Sequence, residues 1–107
     1  MFLAAAKAQD LDAFGRAWGT PQGPAIETWS RDDREKREII MMGCLRHDRF
    51  QILAETPAMT GERVLTVELR FKDLTASSNF SVVQGPKSRW YVQQFEPKDL
   101  ERICVAK

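Results

Sequence analysis

Val64-Leu65-Thr66-Val67-Glu68-Leu69-Arg70-Phe71-Lys72 is the stretch that decides the fold. Apolar and polar residues alternate without a break, so Leu65, Val67, Leu69 and Phe71 share one face of a strand and Thr66, Glu68, Arg70 and Lys72 the other. A strand with one apolar and one wet face belongs to an antiparallel sheet covered on one side. Shorter patterns flank it. Phe50, Ile52 and Ala54 form an apolar face before it, Phe80 and Val82 another after it, and Trp90 and Val92 oppose Tyr91, Gln93 and Phe95 in the last. These predict strands over residues 49–55, 62–72, 79–84 and 88–95. The links at 57–61 and 85–87 are of hairpin length, so neighbours pair antiparallel.

Upstream, residues 30–47 read as one long helix. Ser30 with Asp33 three residues on is a capping box in its Asp form, and Asp32 and Asp33 suit the positive end of the helix dipole. Asp32 with Lys36 and Asp33 with Arg37 are acid-before-base pairs at i,i+4, which makes 31–38 a solvated stretch. Residues 39–45 are apolar all round and read as core. Ile39, Ile40, Gly43, Cys44 and His47 fall within roughly 140° of the circumference, and Gly43 there predicts close backbone approach to the sheet. Earlier still, 2–9 is Ala-rich and helical, and Asp10 caps a second short helix over 11–18 with Leu11, Phe14 and Trp18 on one face. Gly19, Pro21, Gly23 and Pro24 make 19–25 a loop. Helices followed by a run of strands give an α+β fold: N-terminal helices and one long helix packed on an antiparallel sheet of about four strands.

A chain of 107 residues fits one domain spanning 1–107. Its apolar fraction of 43%, charged fraction of 29% and net charge of +1 are those of an ordinary globular protein. The basic residues are interleaved with acids, so no stripe recruits nucleic acid. No apolar run reaches the ~18 residues of a membrane span. Phe2 to Ala6 is apolar, but Lys7 follows and no cleavage pattern appears. The chain reads as exported or envelope-located if an upstream signal was trimmed, and otherwise as cytoplasmic.

The short N-terminal helices, the Gly/Pro loop between Trp18 and Trp29, the long helix and a sheet ending in Arg89-Trp90-Tyr91-Val92-Gln93-Gln94-Phe95 resemble the nuclear transport factor 2-like superfamily over nearly the whole chain. The resemblance implies a cone-shaped, cystatin-like fold in which a curved sheet wraps the long helix, with an open end that often holds a small hydrophobic ligand. The family includes isomerases, dehydratases, transport factors and accessory domains of bacterial envelope proteins, so fold does not fix function. Its enzymes place an Asp, a His–Asp pair or a Tyr inside the cone. Here the apolar face of the best strand offers nothing titratable. His47 and Asp48 are adjacent, and i,i+1 neighbours on a helix do not face each other.

The residues therefore point to no catalytic group, no cofactor and no metal. Cys44 and His47 lie one helical turn apart, with Cys104 a third donor, but a structural zinc site needs four ligands in paired spacing. A pocket at the mouth of the cone would be lined by Trp18, Trp29, Met42, Leu69, Phe71 and Tyr91, with His47 at its edge. The expected function is non-catalytic binding of a small apolar molecule or of a protein partner. The alternatives are a small lyase or isomerase using His47 or Tyr91, and a pocketless module that dimerises through Trp90, Tyr91 and Phe95 on the outer sheet face. Cys44 and Cys104 are compatible with a disulfide closing a loop of about 60 residues, and also with two unrelated thiols.

Overall fold

The computed structural model describes residues 2–58 and 61–106. Phe2–Ala8 (α1) and Leu11–Ala17 (α2) come first, and Asp10 caps α2 by accepting the Ala13 N–H at 3.1 Å. Gly19–Thr20 (β1) and Gly23–Pro24 (β2) pair as a small antiparallel hairpin where the sequence predicts a loop, and Ala25–Thr28 (α3) adds one turn. Arg31–Cys44 (α4) is the long helix. Arg49–Pro57 (β3), Arg63–Phe71 (β4), Leu74–Gln84 (β5) and Trp90–Phe95 (β6) form a four-stranded sheet in the order β3-β4-β5-β6, antiparallel throughout. A 3-10 turn at Pro97–Leu100 and the short helix Glu101–Cys104 (α5) follow. The fold is α+β. Of the predicted link at 57–61, residues 59 and 60 lie outside the described residues.

The start of α4 follows its sequence signal, with Ser30 Oγ accepting the Asp33 N–H at 3.4 Å. Its end does not reach His47. The Leu45 N–H bonds back to the Met42 carbonyl at 3.1 Å, tightening the last turn. Arg46 then folds back: its Nε donates to the Gly43 carbonyl at 3.0 Å and its Nη2 donates to the carbonyls of Ile103 and Ala106. One guanidinium thereby serves the carbonyl ends of both α4 and α5.

The buried face of α4 also differs from the hydropathy reading. Arg34, Glu38, Met42 and Cys44 are buried, whereas Ile39 and Ile40 are 62% and 71% exposed. A Cβ built on Gly43 meets nothing within 4 Å, so the expected close approach is absent there. It occurs at Gly15 of α2 instead, where a Cβ would stand 2.6 Å from Arg34 Nη1 and 2.9 Å from Glu38 Oε2. Arg34 donates to both Glu38 oxygens at 3.2 and 3.3 Å, to the Leu11 carbonyl at 3.1 Å and to Asp12 Oδ1 at 3.2 Å. The stretch 31–38 is thus not wholly solvated: one charged pair turns inward because each partner satisfies the other. Among the described residues, neither Asp32–Lys36 nor Asp33–Arg37 forms; the i,i+4 pairs run base before acid, Arg31–Glu35 and Arg34–Glu38.

In the sheet, Val67 and Leu69 are buried, Leu65 and Phe71 half-buried and Arg70 exposed. Glu68 is half-buried and bonded to Arg70 at 3.1 Å. The expected apolar face of β3 is not covered: Phe50 and Ile52 are 51% and 53% exposed. β3 is the edge strand, and a bulge between Ile52 and Ala54 offsets its register. β5 begins at Leu74 rather than at residue 79. Its first half, with Ala76 turned to the core and the Ser78 hydroxyl against the Glu96 backbone and the Asp99 carboxylate, is held by tertiary contacts that its small residues do not advertise.

Two outcomes follow for stability. Leu69→Ala removes a wholly buried side chain and costs about 2–5 kcal/mol, while Ile40→Ala stays within about 0.5 kcal/mol. Urea unfolding of both variants decides, and a larger loss at Ile40 contradicts this packing. The second concerns Glu38, whose carboxyl burial raises above its ordinary value near 4.5, with Arg34 pulling the other way. The folded chain then binds that proton more tightly than the unfolded one. Glu38 accordingly contributes stability that is full below the unfolded value and is lost as pH rises through the folded value. Glu38→Gln deletes the titration, so the stability of the wild-type chain relative to E38Q falls as pH rises from the ordinary carboxyl value near 4.5 upward. A wild-type advantage that grows over this range contradicts the assignment.

Candidate functional site

The route from α2 to α4 builds the site. The Trp18 N–H closes α2 on the Phe14 carbonyl at 2.9 Å, and the Trp18 backbone then bridges Val92 of β6 in parallel. The β1–β2 hairpin reverses the chain so tightly that a Cβ on Gly19 would lie 2.5 Å from the Gly23 carbonyl oxygen and 2.8 Å from Pro24 Cα; only glycine fits. The Ala25 N–H donates to the Trp18 carbonyl at 2.7 Å, and α3 carries the chain one turn further to Trp29. Trp29 returns over Trp18, ring centroids 5.5 Å apart and tilted by 39°. Trp18 in turn lies 6.3 Å from Phe14, which lies 4.5 Å from Phe2, so the indole pair continues an aromatic run into the core.

A half-open groove of about 340 Å³ lies against this pair. Trp18, Trp29, Met41, Val92 and Phe95 give it apolar walls, and Thr20, Gln93 and Gln94 supply neutral polar groups. Gln93 reaches it through a bulge: Gln94 pairs with Ser81 and Val92 with Val82, which leaves Gln93 without a partner in the register. Bulges of this kind re-aim side chains beside sites. The bulge also resolves the two-faced pattern of β6, since Val92 and Phe95 both pack on the core. Arg37 of α4 completes the rim, its guanidinium 4.5 Å from the Trp29 ring centroid.

Of the expected pocket residues, the structure brings together Trp18 and Trp29. Leu69 is wholly buried in the core, and Met42 borders a separate dent with Leu11 and Arg46. Phe71 is half-buried beneath the Arg46 guanidinium, 4.9 Å away. Tyr91 is buried, packed so closely on Gly85 that a Cβ there would stand 2.6 Å from its ring. His47 is buried too, its Nδ1 2.8 Å from the Leu45 carbonyl oxygen and its ring edge-on to Phe50. Asp48 is bonded elsewhere, its Oδ2 accepting the Lys72 N–H at 2.8 Å. On the sheet, Phe95 stacks on Phe80 at 5.2 Å and Tyr91 is buried, so of the three aromatic residues expected at a dimer face Trp90 stays exposed. Arg37 and Gln93 carried no signal: Asp33, one turn before Arg37, offered an equally good local partner, and a bulge leaves no mark in periodicity.

Cys44 and Cys104 are joined in a disulfide across 60 residues. A disulfide sulfur is not a thiolate ligand, which removes two donors from the zinc reading. Among the described residues no three His, Cys, Asp or Glu side chains gather around a metal-sized space, and no helix is long and apolar enough to cross a membrane. No protein-family model, curated protein or solved structure matches the chain.

Reducing the disulfide releases a loop closure that on the chain-entropy model contributes about 4 kcal/mol. The denatured, unreduced protein made in an oxidising host should take up no alkylating reagent, and reduction should lower its urea midpoint. Two alkylatable thiols in that protein count against the bond.

Proposed function

We propose that this chain is a non-catalytic binding domain of the nuclear transport factor 2-like type, taking a small, largely apolar molecule in the groove between the Trp18–Trp29 pair and β6. The observation that carries the reading is the indole pair itself. A tight glycine-dependent hairpin sets two large aromatic faces at the mouth of a groove whose volume lies at the lower end of small-ligand sites. The lining favours binding over turnover. Arg37 is its one titratable side chain among the described residues, and a guanidinium is too basic to act as a general base at neutral pH. His47 and Tyr91, the groups on which a lyase or isomerase would rely, line neither wall of it. The disulfide favours an oxidising compartment, where such bonds persist.

A second reading, docking of a protein partner, draws on β3. This edge strand exposes Phe50, Ile52 and Leu53 to about half their extent, and an open edge offers backbone groups to an added strand. The groove has the more specific chemistry and is the reading preferred here.

The test uses N-phenyl-1-naphthylamine, a neutral apolar probe whose emission rises on leaving water. It should bind the wild-type chain at one site, and Trp29→Ala should weaken it by about tenfold, as expected for losing one aromatic wall. Trp90→Phe should leave binding as it was. Equal effects of the two substitutions would remove the groove as the site.

A further inference from the structure

We infer that the ligand of this groove is an amphipathic carboxylate, its apolar part against Trp18 and Phe95 and its carboxylate on Arg37. This rests on the binding reading above and adds to it the sign and shape of the polar end. Arg37 is the single charged side chain among the described residues of the groove, so the groove presents one positive charge and no negative one. Among the described residues Arg37 has no ion pair, although Asp33 stands one turn away and the spacing suits a pair. The guanidinium lies over the Trp29 ring instead, at 4.5 Å.

That placement is productive for an anion. A guanidinium over an aromatic face has its π surface covered on one side, while its N–H groups point outward in its own plane, the direction from which a carboxylate accepts two of them. The contact with the indole restricts the head of Arg37, which lowers the side-chain entropy lost when the anion arrives. The neutral amides of Gln93 and Gln94 also line the groove and add hydrogen-bond donors without adding charge. One cation with neutral donors suits a singly charged carboxylate. A phosphate, carrying up to two charges, is ordinarily met by several cations or by a cradle of backbone N–H groups, whereas Arg37 is the one cation among the described lining residues. The remaining walls are apolar, so the rest of the molecule is hydrocarbon or an aromatic ring.

The experiment compares three probes with one tail and different heads: octanoate, 1-octanol and octylammonium. Binding is read from the indole emission of the Trp90→Phe variant, in which Trp18 and Trp29 are the reporters, and by calorimetry. Octanoate should bind about tenfold tighter than octanol, the gain of one charge-assisted contact, and octylammonium weaker than either. Arg37→Gln, checked for an intact fold by circular dichroism, should bring the octanoate-to-octanol ratio to about one. Equal binding of octanoate and octanol to the wild-type groove, tighter binding of octylammonium, or a ratio that survives Arg37→Gln overturns the carboxylate assignment and leaves the apolar-ligand reading standing. Binding of none of the three removes both.

Discussion

The buried pair of Arg34 and Glu38 is the contact on which the arrangement of the helices depends. Only 4% of the arginine and none of the glutamate is exposed. Taking both charges out of water is expensive, and the return is specificity of position more than stability: removing one partner of such a pair costs about 3–5 kcal/mol, whereas replacing both by well-packed apolar residues is often neutral. Here the pair bonds to the Leu11 carbonyl and to Asp12, and it sits under Gly15, so α2 has one lateral and one rotational setting on α4. The helical side of the groove inherits that setting. Trp18 leaves the end of α2 directly. Arg37 lies three residues past Arg34, about 60° short of a full turn, which carries it off the inward face and onto Trp29. The groove is therefore a downstream product of a contact that does not line it.

That dependence explains which parts of the fold were legible in the sequence. The antiparallel sheet could be read because Leu65 to Phe71 alternate and because hairpin-length links allow few topologies. The N-terminus of α4 could be read because Ser30 caps locally. The orientation of α4 could not. Hydropathy treats Arg34 and Glu38 as solvent-seeking and Ile39 and Ile40 as core, residue by residue, while burial was decided by a relation between two residues. The first half of β5 failed for a related reason: Thr75, Ser77 and Ser78 are small and polar, Ala76 is small, and their strand is fixed by the Glu96 backbone and Asp99, far along the chain. Register slips from bulges at Leu53 and Gln93 hid which faces of β3 and β6 meet the core.

The candidate site shows the same split. Two tryptophans flanking a Gly/Pro segment are conspicuous, and they do meet. The other expected lining residues, Met42, Leu69, Phe71 and Tyr91, are large and apolar, and a core of this size absorbs such side chains before any pocket can use them. Arg37 escaped notice because a charged residue on a charged helix has a default reading in water. What sets it apart is that it has no salt-bridge partner among the described residues and lies over an aromatic platform, and both are facts of three-dimensional arrangement.

Cys44 and Cys104 have a mechanical consequence. Tension travels along the shortest covalent path, so a pull on the two ends of these residues crosses from Cys44 to Cys104 through the disulfide and bypasses the intervening chain. The sheet, from β3 to β6, hangs off that path as an unstressed appendage, while α1 to α4 carry the strain. The groove spans the two parts, with Trp18, Trp29 and Arg37 on the strained side and Val92 and Phe95 on the slack side.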